Sequence, residues 1–116
     1  MPHITIVGLG PGAFDQLTQE ALSTLSQASE VWLRTARHPV VSHLPAGPAI
    51  RSFDGLYEEA RTFEEVYATI AQRVLALGAR PEGVVYAVPG HPLVGESTVM
   101  QILKAARETG ISTHIV

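Results

Sequence analysis

The run Gly83-Val84-Val85-Tyr86-Ala87-Val88, followed by Pro89-Gly90-His91-Pro92, constrains this chain more than any other stretch. A near-continuous apolar run of this kind fills a strand buried on both faces, a situation found in parallel sheets covered by helices on each side. The Pro-Gly-His-Pro bend ends the strand, and Ser97 reads as a helix start. A second stretch of the same form lies near the amino terminus, where Ile4-Thr5-Ile6-Val7 runs into Gly8-Leu9-Gly10-Pro11-Gly12. Strand-bend-helix units expose backbone amides at the carboxyl end of a sheet, where open α/β folds hold their ligands. Two of them within 116 residues, enough for one domain and one core, predict a shared crevice.

The remaining pattern agrees with alternating strands and helices. Residues 3–7 are short, β-branched and bounded by glycine, so they read as a strand. From Asp15, taken as an N-cap, Leu17, Ala21, Leu22, Leu25 and Ala28 recur at helical spacing. Residues 30–34 predict a second strand, 39–44 a brief helix begun by Pro39, and 49–53 a third strand after the breakers of 45–48. Asp54-Gly55 signals a turn, with a turn or two of helix over 56–60. Thr62 and Glu65 have the form of a capping box. Behind them Phe63, Val66, Tyr67, Ile70, Val74 and Leu77 form one face, and Gly78 is expected to stop that helix.

Residues 84–88 give strand four. A helix starting at 94 or 97 and running to 109 follows, with Val99, Ile102, Leu103 and Ala106 as its buried stripe and Gly110 as its end. Residues 111–116 begin a fifth strand that the sequence does not finish, as expected of a piece excised from a longer protein. The fold class is therefore α/β, a five-stranded, mostly parallel sheet with helices on both faces.

Charge and composition remove several functions. A formal net charge of −3 leaves no electrostatic footprint for nucleic acid or an anionic membrane. The arginines at 34, 37, 51, 61, 73, 80 and 107 stand among acids and read as solvated surface. Without cysteine there is no disulfide, thiolate metal site or cysteine nucleophile. The five histidines lack metal-ligand spacing, so no metal is expected. No apolar run is long enough to span a bilayer, and the amino terminus enters a strand without a basic leader; a cytoplasmic protein is expected.

Gly8, Gly10 and Ala13 nearly satisfy the dinucleotide fingerprint, but Pro11 and Gly12 delay the helix that should receive a pyrophosphate. Arg34 and Thr35 stand where the ribose-binding acid belongs, and no Gly-Lys-Ser/Thr follows the loop. What is left is a glycine bend that admits close approach to the backbone; taken alone it is as well explained by a tight strand-to-helix turn. His91 alone reads first as a surface turn residue. No serine lies in Gly-x-Ser-x-Gly. Asp15 and His91 are the titratable groups near the bends, and neither is assigned a catalytic role.

Gly8-Leu9-Gly10-Pro11-Gly12 with Asp15-Gln16-Leu17-Thr18, and Val88-Pro89-Gly90-His91-Pro92-Leu93-Val94 at the right separation, resemble the two glycine motifs of the tetrapyrrole (corrin/porphyrin) methylases. The resemblance covers essentially the whole chain. The Pro-Gly-His-Pro form, Val85-Tyr86-Ala87 before it, Tyr57-Glu58 and Phe63-Glu64-Glu65-Val66-Tyr67 are most similar to a subgroup fused to a MazG-type nucleotide pyrophosphohydrolase. The resemblance implies a dimeric, two-domain, S-adenosylmethionine-dependent methyltransferase acting on a small molecule. This chain would be its N-terminal domain (residues 1–116), with the cofactor between it and a C-terminal half. By motif position Pro11, Pro89, Gly90, His91 and Val94 are the implied cofactor contacts, with His91 where the family has aspartate. Two other readings stay open: a non-catalytic regulatory or dimerisation module attached to the pyrophosphohydrolase, and a nicotinamide-binding fragment.

Overall fold

The computed structural model describes residues 2–59, 62–94 and 96–116. Five strands, β1 (His3–Gly8), β2 (Glu30–Leu33), β3 (Ala49–Ser52), β4 (Val84–Val88) and β5 (Ser112–Ile115), form one sheet in the order β3-β2-β4-β1-β5. Every strand pair is parallel. Among the described residues four α-helices connect them: α1 (Gln19–Gln27), α2 (Asp54–Glu59), α3 (Phe63–Gly78) and α4 (Ser97–Thr109).

Strand alternation divides the core between the two faces of the sheet. Ile4, Ile6, Val84, Tyr86 and Val88 point to the face covered by α3 and α4, where Val66, Ile70, Val74, Val99, Ile102 and Ala106 complete the layer. Val7, Val31, Leu33 and Ala87 point the other way, onto Ala21 and Leu25 of α1 and onto Val40. β4 is apolar on both sides because both sides are covered.

Several local expectations need correction. Asp15 is not the cap of α1. It lies in a 3-10 turn, Phe14–Gln16, and the helix starts at Gln19 with Thr18 Oγ1 accepting from Ala21 N at 3.0 Å. The brief helix expected over 39–44 is present as a 3-10 helix, Pro39–His43, with Pro39 in its first turn. Asp54-Gly55 is the first turn of α2, not a turn preceding it, and Ala60, placed in that helix from sequence, lies outside the described residues. Thr62 caps α3, accepting from Glu65 N at 3.1 Å. Phe63, which shares the helical spacing of Val66, Ile70 and Val74, is nevertheless 68% exposed. α3 does end at Gly78, as expected, but not through a left-handed turn, since the following Ala79 is right-handed; a Cβ on this buried glycine would also collide with the Ile4 side chain. α4 begins at Ser97, and Gly110 ends it in the left-handed conformation.

At the amino-terminal ends of the strands, Glu30 ties three elements together. Its carboxylate accepts from Arg51 Nε at 2.8 Å, Trp32 Nε1 at 2.8 Å and Arg80 Nη2 at 3.3 Å. The Arg51 bond first, then Trp32, hold the carboxyl below the ordinary 4.5 against an opposing push from burial, with Arg80 adding a lesser share. A lowered folded value means stability that is present above 4.5 and is lost as pH falls through the depressed value. The Glu30→Gln variant should therefore lack that part of the acid-side loss. Arg51 is largely exposed, so the difference should be about 1 kcal/mol or less, read from urea denaturation at neutral pH and below pH 4.

Candidate functional site

β1 and β4 are neighbours at the centre of the sheet, yet the chain leaves them in opposite directions, toward β2 from one and toward β5 from the other. Such a divergence opens a crevice above the carboxyl ends of the strands. Leu9 N donates to Val88 O at 2.8 Å, continuing the pairing past the strands. Gly10 and Gly90 then meet in an antiparallel bridge, Gly10 N donating to Gly90 O at 3.2 Å and Gly90 N to Gly10 O at 3.0 Å. Both have positive φ, 71° and 67°, which glycine adopts without a steric cost.

Above the bridge lies a cavity of about 440 Å³. Gly8, Gly10 and Pro11 of the first bend line it, with Gly90, His91 and Pro92 of the second and with Gln16, Thr18 and Val116 from flanking segments. Of the residues implied as cofactor contacts, Pro11, Gly90 and His91 are brought together here. Pro89 and Val94 are not in the lining; Val94 is 73% exposed, its N–H turned back onto His91 O at 3.1 Å.

His91 closes its own turn, Nδ1 accepting from Leu93 N at 3.1 Å. In the neutral ring Nε2 then carries the proton, so His91 offers the cavity a donor where a carboxylate would offer an acceptor. Gln16 Oε1 accepts from Ala13 N at 3.2 Å and secures the segment between bend and helix. Gln16 and Thr18 were not singled out as lining residues from sequence. The delay of the helix behind Pro11-Gly12 was the available signal, because it leaves those residues as loop rather than helix.

A polar assembly links the start of α4 to the residue after β2. Tyr86 OH and Thr98 Oγ1 are 2.8 Å apart, Thr98 Oγ1 donates to Glu96 Oε1 at 3.0 Å, and Glu96 Oε1 lies 3.0 Å from Arg34 Nε. That last contact is an ion pair without hydrogen-bond alignment. Arg34 Nη1 donates to Tyr57 OH at 2.9 Å. Burial pushes the Glu96 carboxyl up, and Arg34 and Thr98 only partly offset it. Burial opposes the charge of Arg34 as well, but there Glu96 and Tyr57 prevail, so the guanidinium holds its proton more firmly.

Arg34 was read as solvated surface; its side chain is only 19% exposed, and the correction follows from a partner 62 positions away that no local pattern announces. Arg34, Arg37, Tyr57 and Phe63 border a second cavity of about 420 Å³ at the carboxyl ends of β2 and β3. A third hollow, of about 340 Å³, lies at the opposite ends of the strands around the Glu30–Arg80 pair, where the polar groups already satisfy one another. Among the described residues no group of His, Asp or Glu could hold a metal ion, and no helix is long and apolar enough to cross a membrane.

The fold and crevice define an open parallel α/β domain with two glycine bends at its switch point. Residues 3–116 match the Tetrapyrrole (Corrin/Porphyrin) Methylases, and the chain belongs to that family. It is 42% identical over 113 residues to the protein YabN of Bacillus subtilis strain 168, covering 97% of this chain and 23% of YabN. Among solved structures it is similar to a uroporphyrin-III-C-methyltransferase from Thermus thermophilus, with a TM-score of 0.69, 28% identity, and coverage of 99% of this chain and 46% of that one. A diphthine synthase matches with a TM-score of 0.63 at 19% identity over 97% of this chain and 43% of its own, a likeness of fold. The chain thus spans less than half of each of these proteins.

Proposed function

We propose that this chain is the S-adenosylmethionine-binding N-terminal half of a methyltransferase acting on a tetrapyrrole or a related small molecule. The observation that carries the reading is the Gly10–Gly90 bridge, which joins the two family motifs beneath one cavity of about 440 Å³. That volume lies within the range of small-molecule sites. A second α/β half after residue 116 would supply the opposite wall, in keeping with coverage of 46% of the similar methyltransferase.

The residues present fit the cofactor in kind. Pro11 and Pro92 give apolar edges, the glycine bends bring backbone close, and His91 Nε2 is available as a donor; Pro89 and Val94 remain part of the proposed contact set. Bound there, the sulfonium supplies an activated methyl group with a neutral leaving thioether. The chain's own task is to orient and to exclude water, so no side chain is assigned as a general base. The Arg34–Tyr57 cavity, with its aromatic rim, is the proposed seat of an anionic, conjugated substrate.

Calorimetric titration of the full-length protein with S-adenosylmethionine and S-adenosylhomocysteine tests this reading; absence of binding by both overturns it. His91→Asp refines the test. Aspartate can also accept from the N–H two residues on, so the turn and the melting temperature should be kept. A carboxylate should favour the sulfonium over the thioether by about three- to fivefold, since unit charges about 4–6 Å apart in water interact by about 1 kcal/mol or less.

A homodimeric, cytoplasmic protein with a MazG-type domain is part of the same proposal. YabN, of which this chain spans 23%, has length for further domains. His91 in place of a carboxylate also favours a second reading, a regulatory or dimerisation module for a nucleoside triphosphate pyrophosphohydrolase. Pyrophosphohydrolase turnover that is indifferent to both ligands and to deletion of residues 1–116 would exclude it.

A further inference from the structure

We propose that His38 is a positioning residue for the first glycine bend, an assignment that rests on the cofactor reading above and deepens it. His38 sits 28 positions from Gly10, on the loop that follows β2, and its Nε2 lies 2.9 Å from Gly10 O. Its Nδ1 accepts from Val40 N at 3.2 Å. An N–H must be given an acceptor, so Nδ1 is unprotonated, and in the neutral ring Nε2 carries the hydrogen and donates to Gly10 O.

Gly10 O therefore accepts two hydrogen bonds, from His38 and from Gly90 N at 3.0 Å. Both lone pairs are engaged, and the peptide leading into Pro11 has lost its freedom to rotate. The imidazole is itself anchored, because Val40, whose N–H holds it, is fully buried. The next residue, Pro39, backs onto Gly12, where a Cβ would lie 3.6 Å from the proline ring. The loop after β2 thus braces the first bend through the His38 ring. Neither His38 nor Pro39 lines the cavity, so the effect on a ligand is indirect: the Gly10–Pro11 wall is set before binding, and the cost of ordering it does not fall on the ligand.

Imidazole ¹⁵N shifts in the wild-type, full-length protein should show His38 protonated at Nε2 and bare at Nδ1; the opposite tautomer overturns the assignment and needs no variant. In His38→Ala, exchange of the Gly90 amide should quicken and the dissociation constant for S-adenosylhomocysteine should rise, each by about five- to tenfold, the worth of one hydrogen bond. His38→Gln, whose carboxamide can donate from a similar position, should bring both within about threefold of wild type. If the residue were merely structural, affinity would follow the melting temperature in both variants and glutamine would rescue neither reading. Unchanged Gly90 exchange in His38→Ala overturns the proposal whether or not ligand binds. A wild-type protein that binds no S-adenosylhomocysteine overturns the cofactor reading instead, and the tautomer and the exchange rates still decide the role of His38.

Discussion

Gly8→Val is expected to abolish measurable binding of S-adenosylhomocysteine and to lower the melting temperature of the full-length protein. Gly8 is the last residue of β1 and is paired in register with Val88 of β4. A Cβ at this position would stand 2.7 Å from Gly90 O and 2.7 Å from Pro92 Cδ. The first is backbone and the second a ring locked into its own chain, so neither can step aside as a flexible side chain would. Relief has to come from parting the two bends, which breaks the Gly10–Gly90 bridge under the cavity. Overpacking of this kind costs about 1–3 kcal/mol, and here the damage falls on the ligand wall itself. Gly8→Ala should already show most of the effect, because the clash begins at Cβ. Gly47→Ala is the control: nothing lies within 4 Å of a Cβ there, and both affinity and melting temperature should hold. A Gly8→Val protein that binds with wild-type affinity would show that the two bends do not jointly form the site.

The sheet and the two bends could be read in the sequence because their causes are local. β4 is apolar on consecutive residues because both of its faces are covered, and burial on two faces leaves a mark in a short window. Thr62 before Glu65 and Gly110 after α4 likewise act on near neighbours. Misreadings occurred where a residue answers to something distant. Gly78 ends α3 as its position suggests, but it is glycine because α3 packs against Ile4 of β1, which no local pattern announces. Asp15 resembles a cap, but Pro11-Gly12 and the 3-10 turn carry the chain on to Thr18 before the backbone turns helical. Phe63 has the spacing of a core residue but stands in the first turn of α3, where its ring meets Tyr57 and Tyr67 at the surface. His38 and Arg34 had no readable signal at all, since their partners Gly10 and Glu96 come from other strands' loops.

Glu96→Ala is expected to destabilise the domain by about 2–3 kcal/mol, somewhat under the cost of breaking a fully buried pair, while Glu96→Gln should not destabilise it at neutral pH. Glu96 is the residue just before α4, and its side chain is 9% exposed. Alanine would strip the acceptor from Thr98 Oγ1 and leave the Arg34 guanidinium facing a small void. Glutamine keeps the acceptor and the volume. The pH dependence separates charge from geometry. Because burial raises the folded value of Glu96 above that of the unfolded chain, its favourable contribution is complete below about 4.5 and is lost as pH rises through the raised value. Wild type should therefore lose ground to Glu96→Gln as pH climbs from 4.5 toward neutrality, and the two should converge at lower pH, where the carboxyl is protonated. Urea denaturation of wild type and both variants across that range provides the measurement. A glutamine variant as unstable as the alanine variant at neutral pH would mean that the charge itself holds Arg34. The predicted order, with alanine far below glutamine, would identify the pair as a positional clamp that ties the segment after the second glycine bend to β2 and to the rim of the neighbouring cavity.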